Sequence, residues 1–372
     1  MLGDAHARGV LPAALRLQGP RGVGKQSLAL WIARMLVCER PAKGPCEECQ
    51  ACRMARSLEH PDVHWYFPLP RPKNVTGDRL THALEDARIQ ALASLRTQPL
   101  HPSHSDEVRG LYVGTVKSIR RRAHLRASMA QGPVFIVGDA DLLVPQEASP
   151  EAANALLKLL EEPPGCARFI LTSSESGRLL PTIRSRTVPF QVTTLDPAII
   201  AGFLERSLDV EPKLAAWAAN LGQGSLGRAL GFLPQGGEPG PLEELRRRAF
   251  RVLEAAIASQ GAGAHGVALG FPPAGARGLV ELFTFVEEWI RDLGAVAAGA
   301  ADRAFYPDAA KRLSAMVESC SILAADVPMA LPAVETAREL ARGNVNPQLV
   351  VSGLVRDLRR ALLRQAPSGA VA

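Results

Sequence analysis

Two rhythms of apolar residues divide this chain. Short apolar stretches at residues 15–17, 134–137 and 167–173 are bounded by glycine, proline or polar residues, the setting of buried strands. Elsewhere apolar residues recur at three- and four-residue spacing, which predicts helices over 28–37, 79–95, 113–129 and 149–164. Ser149 caps the last of these with Pro150 at its first position, and Pro163 and Pro164 end it. Residues 179–190 read as a helical turn leading into a further strand. Strands that alternate with helices form a parallel sheet covered on both faces, so this first half is predicted to be α/β. Beyond it the strand rhythm stops. Residues 194–233 read as a small helical unit, 234–241 as a linker rich in proline and glycine, and 242–363 as nearly continuous helical pattern, as at 279–290.

The expected organisation is an α/β domain over residues 1–193, interrupted by a cysteine-rich insertion at 38–52 and a loop insertion at 65–110. A helical domain over 194–235, an all-helical domain over 241–364 and a disordered tail over 365–372 follow. The length of 372 residues suits two or three domains, and 47% hydrophobic with 22% charged residues is ordinary for a globular protein. No apolar stretch reaches the ~18 residues of a membrane span. The amino end has no basic segment followed by an apolar core, so no secretory signal is expected and the cytoplasm is the expected compartment. There, its six cysteines should be thiols or metal ligands rather than disulfides. The net charge of +6 permits contact with nucleic acid without requiring it. Arg120, Arg121, Arg122 and Arg126 read first as a solvated helix face, and in a DNA-handling protein they could touch phosphates.

Chemistry enters between the first strand and the first long helix. Gly19, Gly22, Gly24 and Lys25 have the spacing of a phosphate-binding loop, in the strand–turn–helix context such a loop needs. Successive backbone N–H groups and a helix N-terminus would face one small volume, which suits an anion, with Lys25 reaching the terminal phosphates. The next residue is Gln26, where a hydroxyl that holds Mg²⁺ belongs; Ser27 comes one place late, a rotation of ~100° on a helix. The apolar stretch at 134–137 reads as a parallel strand whose carboxyl end reaches the same site. Its first metal-ligand position is Gly138, with only Asp139 and Asp141 after it. Two lost ligands from distant segments point to a site without selected hydrolysis.

Cys38, Cys46, Cys49 and Cys52 form a second constellation. Pro41 and Gly44 let the chain loop back so that Cys38 completes a tetrahedron of thiolates, and four protein ligands make a structural zinc site. Cys166 and Cys320 are isolated and read as packing residues, while His60, His64, His101 and His104 lie in loop-like surroundings and read against a second metal site.

Residues 19–25, the four-cysteine insertion directly after the loop's helix, residues 152–163, and Ser185, Arg186 and Thr187 together resemble the clamp-loader branch of the AAA+ ATPases. Within it they are most similar to the bacterial DNA polymerase III delta-prime family, with gamma/tau next. The resemblance implies an AAA+ fold, a P-loop NTPase-like parallel sheet, followed by a helical lid and an all-α collar through which subunits form a ring. Residues 344–349, which open the final helix, match that collar. It implies that Arg186 is an arginine finger for ATP on a neighbouring subunit, with Thr187 in place of the family's Cys. A guanidinium in that role is worth ~10³–10⁵ in rate. Ser173 and Arg228 fall at sensor-like positions, Arg228 one place later than in active relatives because Gly227 follows Ser225 and Leu226. The chain starts close to its phosphate loop, so the segment that usually contacts adenine is expected to be short.

The expected function is therefore that of a delta-prime-like subunit, not catalytic alone, within a DNA polymerase holoenzyme and its ATPase complex. Its implied partners are gamma/tau and delta subunits, the beta sliding clamp and primed DNA, with no membrane. Zn²⁺ is its expected structural cofactor. Lys25 and the glycines leave ATP or ADP binding open, while Gln26 and Gly138 count against Mg²⁺ coordination. Two alternatives stand beside it. A gamma/tau-like ATPase would use Ser27 and Asp139 in shifted roles, and its turnover would die with Lys25→Ala. A zinc-stabilised DNA-binding scaffold would rest on the basic run and associate with neither gamma/tau nor delta.

Overall fold

A computed structural model of the chain describes residues 2–97, 109–143, 151–258, 262–273, 278–343 and 345–363. Its strands are β1 (Ala14–Gln18), β2 (Val63–Tyr66), β3 (Leu69–Pro70), β4 (Arg109–Gly110), β5 (Val134–Val137), β6 (Arg168–Ser173) and β7 (Val188–Gln191). The first helices are α1 (Leu2–Ala7), α2 (Lys25–Val37), α3 (Gln50–Arg56), α4 (Gly77–Thr97), α5 (Val113–Ala123), α6 (Glu151–Glu161) and α7 (Pro181–Ser185). Five strands make one sheet in the order β2-β5-β6-β1-β7, all parallel, while β3 and β4 form a separate antiparallel pair.

Alternation of side chains across the sheet divides the core in two. Leu15, Leu17, Val134, Ile136 and Ile170 point to one face and pack with Ala29, Ile32 and Ala33 of α2 and Ala51 of α3. Phe135, Val137, Phe169 and Leu171 point to the other, against Val116 and Ile119 of α5 and Leu156 and Leu159 of α6. Both faces are covered, which is why these strands read as unbroken apolar runs. The rings of Phe135 and Phe169 stack at 5.2 Å, and truncating either to Ala would cost about 3–5 kcal/mol.

The structure corrects the sequence reading in three places. Trp65 and Tyr66, expected in a loop insertion, end the edge strand β2, which pairs in parallel with β5. The helix expected at 79–95 forms as α4, two residues longer at each end, and docks on α5 and β2: Glu85 bridges Arg88 and Arg122 at 2.6 and 2.8 Å, and the Arg88 guanidinium lies 4.7 Å over the Tyr66 ring. Helix α5 stops at Ala123 rather than near Met129. The backbone N–H groups of Ser128, Met129 and Ala130 donate instead to the Asp62 carboxylate at 2.7–2.8 Å, which turns the chain away. Cys166, expected to pack, is exposed in the turn before β6. The Ser149–Pro150 cap, His101, His104, Asn344 and the tail lie outside the described residues.

The sheet is followed by α8 (Pro197–Leu208), α9 (Pro212–Gly222) and α10 (Leu226–Phe232). The described residues fall into two compact units that meet between Leu230 and Gly231 in the chain. The second unit contains α11 (Pro241–Ile257), α12 (Ala262–Leu269), α13 (Leu279–Ala297), α14 (Ala310–Cys320), α15 (Leu331–Arg342) and α16 (Pro347–Leu362). Its interior is built on Leu253, Phe283, Val286 and Trp289, all buried. Trp289 donates its indole N–H to the Arg246 carbonyl at 3.0 Å. Asn346 caps α16, its side-chain oxygen accepting from Gln348 N at 2.8 Å, with Pro347 at the first helical position. No described helix is long and apolar enough to cross a membrane.

Candidate functional site

The phosphate loop joins β1 to α2, and its glycines are there for backbone reasons. Gly22 and Gly24 have φ of 76° and 94°, left-handed values that other residues adopt only with strain. Gly19 donates its N–H to the Ser173 carbonyl at 3.3 Å, and a Cβ on it would lie 2.0 Å from the Val192 carbonyl oxygen. Lys25 opens α2 and is buried. Its ammonium donates to the carbonyls of Gly19 at 2.9 Å and Pro20 at 2.7 Å, and to Ser174 Oγ at 2.9 Å. All three of its N–H bonds are thus spent inside the loop. Burial pulls the Lys25 pKa below its usual value, with Asp139 and Asp141 acting against that shift.

Gln26 points toward the end of β5. Its side-chain amide donates to Asp139 Oδ2 at 3.0 Å. A Cβ on Gly138 would lie 3.0 Å from Gln26 Oε1, so the amide occupies the space that a side chain at position 138 would take. Asp139 has φ of 45°, and its backbone N–H donates to Thr172 Oγ1 at 2.9 Å. Its pKa is raised, first by burial and then by the neighbouring Asp141. This donor set does not fit Mg²⁺: Gln26 and Gly138 offer neither hydroxyl nor carboxylate, and Asp139 is engaged by the amide. Ser27, on the same first turn of α2, is exposed.

Sequence reasoning placed Ser173 as the sensor, yet the hydroxyl on Lys25 belongs to Ser174, held in turn by its N–H to Asp141 Oδ1 at 3.2 Å. Ser173 is fully buried, and its Oγ has no hydrogen-bond partner. Ser173 ends β6 and Ser174 is the first residue past it. The loop is covered by the start of α10. Gly227 donates its N–H to the Gly22 carbonyl at 2.9 Å, and a Cβ on Gly22 would lie 2.3 Å from Ser225 Oγ. Arg228 turns back on α9, its Nε donating to the Leu221 carbonyl at 3.1 Å. Arg186 lies on another part of the first unit, at the C-terminal cap of α7, with its Nε 2.6 Å from Glu161 Oε1.

The four cysteines after α2 do converge. Their sulfur atoms all lie within 4.8 Å of one another, with Cys46–Cys52 at 3.9 Å and Cys38–Cys49 at 4.0 Å. Thiolates at ~2.3 Å around one tetrahedral zinc stand ~3.8 Å apart, so the set fits that ion. The N–H groups of Cys46, Cys49 and Cys52 donate to Cys38, Cys46 and Cys49 sulfurs at 3.3–3.4 Å. Hydrogen bonds from Glu48 and Cys49 N–H lower the Cys46 pKa to about 6, while burial raises that of Cys52 to about 12. Gly44 allows the return of the chain, since a Cβ there would lie 2.7 Å from the Trp31 ring. The buried His60 accepts from Asp62 N at 3.1 Å through Nδ1, and the His64 ring packs 5.1 Å from Phe135, so neither joins the cysteines.

A parallel sheet with a glycine turn and lysine-led helix after β1, the acidic end of β5 beside it and a helical lid over the turn define a P-loop protein of the AAA+ class. Within that class, the model of the family described as DNA polymerase III, delta subunit, matches residues 1–196, and the chain belongs to that family. It is 36% identical over 201 residues to the DNA polymerase III subunit delta' of Pseudomonas aeruginosa, a match covering 54% of this chain and 48% of that protein. With the subunit delta' of Bacillus subtilis the identity is 30% over 213 residues, 57% of this chain and 51% of the relative. The gamma/tau subunit of Mycobacterium tuberculosis shares 29% over 221 residues, 57% of this chain and 31% of its own. The chain thus spans about half the length of the delta' relatives it matches. A gamma subunit-related protein from Thermotoga maritima aligns over 96% of this chain and 98% of its own, at a TM-score of 0.42 and 13% identity, too distant to bear on function.

Proposed function

We propose that this chain is a delta-prime-type subunit of a bacterial clamp loader that does not hydrolyse ATP itself. It works beside gamma/tau and delta subunits to place the beta sliding clamp on primed DNA. The observation that carries this reading is the Gln26–Asp139 hydrogen bond, which engages the carboxylate and sets the amide oxygen 3.0 Å from where a Cβ on Gly138 would lie. The exposure of Ser27 counts against a shifted ATPase site. Arg186 acts in trans: its guanidinium meets the charge that develops on the γ-phosphate of a neighbouring subunit's ATP. Cys38, Cys46, Cys49 and Cys52 hold a structural Zn²⁺ that fixes the segment between α2 and α3.

Two measurements test the proposal. In the complex reconstituted from this chain, gamma/tau, delta, clamp and primed DNA, Arg186→Ala lowers ATP turnover by about 10³-fold at the affected site. Turnover at the wild-type rate refutes the assignment, and Mg²⁺-dependent turnover by the isolated chain refutes the lack of hydrolysis. Purified protein carries about one zinc per chain, and Cys49→Ser loses it. Equal zinc in that variant removes the metal site.

A further inference from the structure

A lone arginine on a short helix has no reason to hold one direction. Arg186 is held from three sides. Its own N–H donates to the Ile183 carbonyl at 3.3 Å, and the next residue, Thr187, is buried with its hydroxyl donating to the same carbonyl at 2.9 Å. The backbone that carries the side chain is therefore fixed. The Ser185 hydroxyl donates to the Thr182 carbonyl at 3.0 Å, which leaves its oxygen to accept from Arg186 Nη1 at 3.1 Å. The Glu161 carboxylate sits 2.6 Å from Nε.

Glu161 is also a poor choice for its own helix. It is the last residue of α6, where the carbonyl end of the helix dipole disfavours a negative charge. Glu162 follows directly and adds a second carboxylate. The guanidinium of Arg186 offsets that local cost. Of the five guanidinium N–H bonds, Glu161 engages the one on Nε and Ser185 one of the two on Nη1, which leaves three. The outer nitrogens keep enough donors to grip two phosphate oxygens at once.

We propose that Glu161 is a positioning residue for Arg186: it grips Nε so that the Nη end is presented, already oriented, to the phosphate of a neighbouring subunit. This rests on the trans role of Arg186 proposed above and names the residue that prepares it. Orientation fixed before the charge develops is what makes such a donor effective, and a small displacement is costly in rate.

The test uses the reconstituted complex with Glu161→Gln, Glu161→Asp, Arg186→Ala and the Glu161→Gln/Arg186→Ala double variant. Glu161→Gln lowers the kcat for ATP about five- to tenfold with KM unchanged, because the carboxylate touches no nucleotide. Glu161→Asp recovers part of the loss. The double variant is no slower than Arg186→Ala alone, since Glu161 acts only through the arginine. Glu161→Gln at or above the wild-type rate overturns the proposal, as does a loss that multiplies in the double variant. Arg186→Ala without effect overturns the trans role itself and this inference with it, whereas a large Arg186→Ala effect beside an inert Glu161→Gln removes only the positioning role. Each variant's melting temperature and its incorporation into the complex are measured alongside. A kcat loss matched by a loss of incorporation overturns the positioning role in favour of a structural one.

Discussion

In a phosphate loop that works on nucleotide, the lysine is a tool held ready, and removing it changes activity more than stability. Lys25 also has a structural task. Its ammonium closes the loop on itself through Gly19 O, Pro20 O and Ser174 Oγ at 2.7–2.9 Å. Hydrogen bonds to a charged donor contribute about 1.5–3 kcal/mol each in isolation, but burial of the ammonium opposes them and the three share one group. Lys25→Ala is therefore expected to cost about 2–4 kcal/mol, much of it from carbonyls left without their donor. For a unit of this size that is a drop in melting temperature of about 5–10 °C. Lys25→Met, which keeps the stem and loses the charge, should lie close to Lys25→Ala, showing that the hydrogen bonds rather than the packing are responsible. The assay is thermal unfolding of the isolated chain. A Lys25→Ala protein that melts within about 1 °C of wild type refutes the strut.

Two further outcomes follow from contacts in the same unit. Gly22→Ala faces two penalties, a left-handed φ of 76° and a Cβ 2.3 Å from Ser225 Oγ, and should lose about 2–3 kcal/mol in denaturant unfolding; adding Ser225→Gly should return only the part due to the clash. His64 has its pKa lowered to about 4 from 6.5, first by burial and then by Arg122 and Arg88. The unfolded chain thus binds the proton first as pH falls, so stability declines below about pH 6.5 and levels off near pH 4, by on the order of 3 kcal/mol in all. His64→Phe should flatten that limb, and an acid limb unchanged from wild type would show that His64 is not its source.

The parts of the site that lie within one short segment were legible in the sequence, and the parts that depend on two segments meeting were not. Glycines at positive φ, a lysine at the head of α2 and apolar strands covered on both faces are local facts, and each leaves a local mark. The edge strand β2 left one too: Val63 and Trp65 pack on one face of the sheet and Tyr66 on the other, an alternation hidden by His60 and Pro61 before it and His64 within it. The departures at Gln26 and Gly138 could be counted from the sequence, but the contact between them could not. Gln26 and Asp139 are 113 positions apart, and only the fold reveals that the amide of one fills the space beside Gly138. Changing either position alone therefore disturbs the contact between them. An aspartate at 138 meets Gln26, and a threonine at 26 leaves Asp139 buried without its donor. The two positions thus form one packed unit, in which a side chain at 138 is accommodated only as the Gln26 amide gives way.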